Sequence, residues 1–202
     1  MRKHFFVRAL RRLNLLKNLS FSQSIRLNSA TFSIPLIEGL NEGILYLSPS
    51  FKSDLLNLIN KSLGSVEQFV DVGANYGQTL LEVFSLFPQI NYFGFEPNPV
   101  AYELLNRTAL LNSLKIQSFP CACSFDSQPV KIYMTESPVN AGATIIPEIR
   151  PDTYLGNQGS WICSYPLDLF IDKIPFRPNF ILKIDVEGAE LEVLRGGETI
   201  IN

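Results

Sequence analysis

The chain has 202 residues, 46 % apolar and 18 % charged, enough for one well-cored domain and too apolar to remain disordered. Its formal charge of −2 hides an asymmetry: residues 1–17 carry six Lys/Arg and no acid, leaving eleven basic against nineteen acidic residues in the remainder. A body that acidic argues against nucleic acid as the main partner, and no apolar run approaches the ~20 residues needed to span a bilayer.

The chain opens on a basic amphipathic stretch. Phe6, Leu10, Leu13 and Leu16 recur at helical spacing, and Arg8, Arg11 and Arg12 share another side. Three readings stay open: a helix docked on the domain with its basic face in water, a peripheral contact with an anionic membrane surface, or a targeting segment. The apolar run is too broken for a secretory signal. Residues 1–50 read as an N-terminal extension, with "EGLNEG" (38–43) as a turn between short strands. Ser53–Leu63 reads as a helix closed by Gly64.

From there strands and helices alternate. The pattern predicts a strand at Gln68–Val72, a helix at Gln78–Phe87 stopped by Pro88, and a strand at Tyr92–Phe95. A helix follows at Val100–Asn112, then a strand at Lys115–Ala122. Residues 124–160 are loop-rich, with Pro129, Pro138, Pro147 and Pro151; Tyr133, Tyr154 and Trp161 in or beside this stretch fit core positions better than an acceptor pocket. A short helix at Pro166–Lys173, an apolar strand at Phe180–Ile184 and a helix at Ala189–Arg195 complete the chain. Such alternation predicts an α/β fold, a mostly parallel sheet covered by helices on both faces. Ligands of these sheets bind beyond the carboxyl ends of the strands, where the strand order reverses.

Three strand ends carry the chemistry. The first runs into Asp71-Val-Gly-Ala-Asn-Tyr-Gly77. Gly73 and Gly77 lack a Cβ and let backbone approach a ligand closely. The spacing is G-x-x-x-G, so a dinucleotide fingerprint is absent, as is a Walker-type loop, which disfavours a nicotinamide oxidoreductase. The second strand ends on Glu96, 23 residues after Gly73, where a carboxylate can accept both hydroxyls of a ribose. Turn and carboxylate together point to an adenosine-like ligand; the competing reading is a capping acid with no ligand. The fourth strand leads into Asp185 and Glu187, and it is expected to lie beside the first. Asp71 and Asp185 then meet at one rim, where one carboxyl must rise unless a cation compensates; a buried Lys183 can supply part of that charge. Cys121, Cys123 and Cys163 have no metal-binding spacing and His4 is remote, so the thiols read as reduced and mostly buried, in keeping with a cytoplasmic chain.

DVGANYGQT, FEPNP and LKIDVEGAELEVLRGG, in this order, resemble the FkbM family of S-adenosylmethionine-dependent methyltransferases, over roughly residues 66–202; "YPLDLFID" (165–172) resembles the family's short helix before the fourth strand. The resemblance implies a Rossmann-like class I fold over 51–202, with S-adenosyl-L-methionine as cofactor and methyl transfer to a hydroxyl of a small-molecule or glycan acceptor. It implies that Asp71, Gly73, Asn75 and Gly77 line the methionine part of the cofactor. Glu96, with Asn98 beside it, would hold the ribose, and Ala122, Cys123 and Ser124 would border the adenine. Asp185 and Glu187 are the candidate bases by position, and nothing in the sequence separates them. The family pattern continues into further strands after the Gly196-Gly197 helix. The expectation is therefore a sheet with its final strands missing, and a remnant that binds cofactor without catalysis is the alternative function.

Overall fold

The computed structural model describes residues 22–35, 66–134, 142–149, 151–154, 159–176 and 179–202. The basic N-terminal stretch, "EGLNEG" and the helix expected at Ser53–Leu63 lie outside the described residues.

Four parallel strands make the central sheet: β3 (Gln68–Val72), β4 (Asn91–Phe95), β5 (Ile116–Phe119) and β10 (Phe180–Ile184), in the order β10-β3-β4-β5. The order reverses between β10 and β3, so the last strand sits beside the first, as expected. Register is even across the sheet: Ile184 pairs with Val72, Val72 with Phe95, and Phe95 with Phe119. These four residues define one carboxyl rim. All five residues of β3 are buried, as expected for a strand covered on both faces.

Side-chain alternation divides the sheet into two cores. Phe69, Tyr92, Ile116 and Ile181 face α1 (Gln78–Leu86) and α2 (Pro99–Leu111) through Leu80, Leu81, Phe84, Leu105 and Ala109. Val70, Val72, Phe93, Phe95, Leu182 and Ile184 face the other way, onto Leu167, Ile174 and Val193. Leu167 opens the single 3₁₀ turn Leu167–Phe170, and Val193 belongs to α4 (Glu190–Arg195). The Asp168 carboxylate accepts the N–H groups of Thr199 and Ile200, both at 3.0 Å, so "YPLDLFID" ties the following α5 (Glu198–Ile201) to the sheet. Gly196 is required by contact: a Cβ there would lie 2.0 Å from the Ser124 carbonyl oxygen.

Two departures from the sequence reading have simple causes. The third strand stops at Phe119, because Pro120 has no N–H to donate to a ladder. Beyond it Ala122–Cys123 (β6) pairs in parallel with Ser164–Tyr165 (β9), while Val130–Ile132 (β7) pairs antiparallel with Ser160–Ile162 (β8). Within the stretch read as an extension, Ser22–Leu27 (β1) and Ala30–Pro35 (β2) form a hairpin turning at Asn28. Leu27, Phe32 and Ile34 join the α1/α2 core. Asn112, just past α2, clamps the hairpin by accepting the Ser33 N–H at 2.6 Å and donating to the Ser33 carbonyl at 2.7 Å. A 3₁₀ turn at Pro147–Ile149 and a single helical turn α3 (Pro151–Tyr154) lie in the loop-rich stretch. Among the described residues β10 pairs with β3 alone, and its five residues are half-buried.

Candidate active site

The turn after β3 folds over the end of β4. The N–H groups of Gly73 and Ala74 both donate to the Phe95 carbonyl at 3.0 Å. Gly73 has φ +81°, and a Cβ there would lie 2.0 Å from the Asp185 carbonyl oxygen; only glycine admits both the conformation and the approach of the two strand ends. Gly77, at φ +92°, occupies the N-cap of α1.

Glu96 is the buried acid of this rim. Its Oε2 accepts the Asn75 N–H at 2.7 Å and its Oε1 accepts the Asn98 N–H at 2.8 Å. Burial pushes its carboxyl up to about 7, against the lowering effect of those two N–H groups. Each oxygen keeps lone-pair capacity, so a carboxylate with fixed orientation can accept two further hydroxyl donors. The Asn98 side chain is itself engaged, accepting the Val100 N–H at 3.0 Å as N-cap of α2, with Pro99 next in line.

On the other side of β3 lies an ion cluster. Lys183 stands opposite Asp71 in register, and its Nζ is 2.9 Å from Asp71 Oδ1, 3.5 Å from Asp185 Oδ2 and 3.0 Å from the Gly73 carbonyl. Tyr92 donates to Asp71 Oδ2 at 2.5 Å. Burial raises the Asp71 carboxyl, and the Lys183 charge works against that rise. Burial alone would pull the Lys183 ammonium down, yet Asp71 and then Asp185 hold it above its ordinary value. Lys183 thus stands between the two carboxylates and supplies part of the compensating charge, while burial still leaves the Asp71 carboxyl raised.

Glu96, Gly73, Asn75, Asn98, Ala122, Asp185 and Glu187 line one cleft of about 630 Å³, part of it open to solvent. Its walls also include Pro97, Cys121, Cys123, Ile132, Val186 and residues 143–145. Three expected site residues are placed elsewhere. Asp71 is wholly buried under the turn, its carboxylate taken by Tyr92 and Lys183. Gly77 faces Leu105 and Leu80 inside the α1/α2 core. Ser124 is buried where its N–H meets the Tyr165 carbonyl and its own carbonyl meets Gly196. Of the aromatics in or beside the loop-rich stretch, Tyr154 is buried and donates to the Gly142 carbonyl; Trp161 is exposed with Lys131 over its ring.

Residues 142–149 form a strap beside the cleft. Thr144 is buried, exchanges backbone hydrogen bonds with Tyr133, and donates its Oγ1 to the Glu187 carbonyl at 2.7 Å. Glu187 and Gly188 both have left-handed φ, +53° and +103°. Glu190 accepts the N–H groups of Val186 and Gly188. Burial alone would raise its carboxyl, but these backbone donors and its own N–H hold it below the usual range. The turn carrying Glu187 is thus fixed from two sides. Nothing in the sequence marked Thr144, whose role depends on the strap reaching a turn 43 residues away.

Among the described residues there is no cluster of metal-ligating side chains, and no helix long and apolar enough to cross a membrane.

A model of the methyltransferase FkbM domain matches residues 71–202. The chain is 30 % identical over 153 residues to the methyltransferase sdnD of Sordaria araneosa, covering 63 % of this chain and 59 % of that protein. It is 26 % identical over 143 residues to methyltransferase 1 of Beauveria bassiana (strain ARSEF 2860), covering 63 % and 57 %. The chain spans a little under three fifths of the length of these curated relatives. The match begins at Asp71, takes in the glycine turn, Glu96 and the Lys183–Asp185 rim, and fills well over half of the sequence: this chain belongs to the FkbM methyltransferase family.

Proposed function

We propose that the cleft binds S-adenosyl-L-methionine and that the protein transfers its methyl group to a hydroxyl of a small-molecule or glycan acceptor. The observation that carries this reading is Glu96: a buried carboxylate at the end of β4, oriented by two backbone N–H groups and opening into the cleft. A ribose diol supplies the two hydroxyl donors that such a carboxylate lacks. Gly73 lets the end of β10 close against the turn after β3, so that Gly73, Asp185 and Val186 line one continuous cleft beside Glu96. The bound cofactor brings a methyl group already activated by its sulfonium; the chain's own part is to align an acceptor with it, and alignment alone is worth up to ~7–11 kcal/mol of barrier in favourable cases. Asp185 and Glu187 line the same cleft and are the carboxylates available to take the acceptor's proton, a contribution of roughly 10²–10⁴-fold.

The test is calorimetric titration of the 202-residue chain with S-adenosylhomocysteine, alongside Glu96→Ala, with circular dichroism as the check of folding. Micromolar binding that Glu96→Ala weakens at least about a hundredfold, as two charge-assisted hydrogen bonds require, supports the reading. Equal binding by both proteins, or none by the folded native chain, refutes it.

A further inference from the structure

The pairing of β6 with β9 brings two cysteines together at the wall of the cleft. The two strands run parallel, with Ala122 opposite Ser164 and Cys123 opposite Tyr165. One residue earlier on each segment stand Cys121 and Cys163, and the Ala122 N–H donates to the Cys163 carbonyl at 3.0 Å. Paired strands lie about 4.8 Å apart, within the Cα separations of about 4.4–6.8 Å that a disulfide bridges. Period-two alternation puts Cys121 on the face of Cys123 and Cys163 on the face of Tyr165, so the two thiols share one side of the pair. The charges agree with that placement. Burial pushes the Cys121 thiol up to about 12, and the neighbouring Cys163 adds to the rise. The two thiols differ in access: Cys163 is exposed and Cys121 buried, and Cys121 lines the cleft with Ala122 and Cys123. Cys123 is placed differently. Tyr165 is across from it, and along its own strand Cys121 is two residues away, about 6.6 Å, near the limit of disulfide reach.

We propose that Cys163 and Cys121 are a thiol–disulfide pair that takes a small disulfide such as oxidised glutathione as its oxidant, and that the resulting Cys121–Cys163 bond lowers the cleft's affinity for ligand. The exposed Cys163 thiolate attacks one sulfur of the oxidant, forming a mixed disulfide and releasing one glutathione thiolate. The Cys121 sulfur then attacks the Cys163 sulfur, and the second glutathione leaves with the Cys121 proton. Two protein thiols lose two electrons, and one small disulfide is reduced to two thiols. Forming the mixed disulfide also removes the Cys163 charge that opposes ionisation of Cys121. The bond ties one wall of the cleft to β9. The effect on affinity rests on the reading of the cleft as an adenosyl site; the bond itself does not.

The native chain, Cys163→Ser and Cys121→Ala are incubated with oxidised glutathione. Each is then read by intact mass and by a non-reducing peptide map, and titrated with S-adenosylhomocysteine before and after dithiothreitol. The native chain should lose two hydrogens in mass and give a peptide linked through Cys121 and Cys163. Cys121→Ala should keep one glutathione on Cys163, and Cys163→Ser should stay unmodified at Cys121. Oxidised native chain should bind S-adenosylhomocysteine about tenfold more weakly, the worth of one lost contact, and dithiothreitol should restore it. Cys163 is exposed, so Cys163→Ser reports even if Cys121→Ala does not fold. Glutathione that stays on Cys163 of the native chain, or a link through Cys123, overturns the pair. A linked chain that binds as tightly as the reduced one overturns the effect on the cleft. If the reduced chain binds no S-adenosylhomocysteine, the adenosyl reading and the effect on affinity fail together, while the linked peptide still decides the pair.

Discussion

Lowering the pH should weaken cofactor binding through one residue, Glu96. Its carboxyl stands near 7 in the free chain because burial outweighs the Asn75 and Asn98 N–H groups. The same carboxyl titrates near 4.5 when exposed. The folded chain therefore binds more protons than the unfolded chain between these values, and its stability falls as pH rises through that window. The full cost above pH 7 is roughly 3 kcal/mol for a group this buried. Hydroxyl donors on the carboxylate offset that cost, so ligand selects the ionised form. At pH 6 about nine tenths of the free chain carries protonated Glu96, at pH 8 about one tenth; affinity for S-adenosylhomocysteine should thus fall about tenfold from pH 8 to pH 6. Calorimetry at both pH values, in buffers of different ionisation enthalpy, measures the affinity and the protons together. Binding at pH 6 should release close to one proton from Glu96, and at pH 8 almost none. An affinity that is flat across this range, or a Glu96→Gln variant with the same slope, would show that Glu96 does not control the pH dependence.

Two stability predictions test the packing that builds the rim. Gly73→Ala should destabilise the chain by more than about 3 kcal/mol in urea denaturation, because left-handed strain of ~1–2 kcal/mol adds to a Cβ set 2.0 Å from the Asp185 carbonyl oxygen. Gly77→Ala has the same kind of strain but meets only the end of the Leu105 side chain at 3.2 Å, so it should cost about 1–2 kcal/mol; equal costs would contradict the claimed approach of β3 and β10. Asn112→Ala leaves the Ser33 N–H and carbonyl without their clamp. It should cost about 1–3 kcal/mol and raise amide exchange across β1 and β2; a hairpin as protected as in the native chain would show that the apolar contacts of Leu27, Phe32 and Ile34 suffice.

The parts of the fold set by local pattern were legible in the sequence. Phe180–Ile184 and Gln68–Val72 are apolar runs bounded by turns, and both strands have the expected limits. Glu96 was legible because its place depends only on strand length and the preceding turn. The meeting of Asp71 and Asp185 at one rim followed from placing the fourth strand beside the first, as the β10–β3 register has it. What alternation does not reveal is competition for a carboxylate. Asp71 was expected at the cofactor because its neighbour in sequence is the glycine turn, whereas its neighbours in space are Tyr92 and Lys183. The same limit applies to Thr144, which reaches Glu187 only through a strap without periodicity, and to Ser124, buried under Gly196 by a packing contact 72 residues away. The hairpin at 22–35 was hidden for another reason: its core contribution is three residues in short strands, too few to stand out against a polar background.

The most direct measurement of the central claim is a crystal structure of the chain with S-adenosylhomocysteine. The ribose hydroxyls are expected on the two Glu96 oxygens, with the ligand crossing the end of β3 above Gly73. A ligand bound elsewhere, or seated in the cleft with Glu96 facing no hydroxyl, would contradict it.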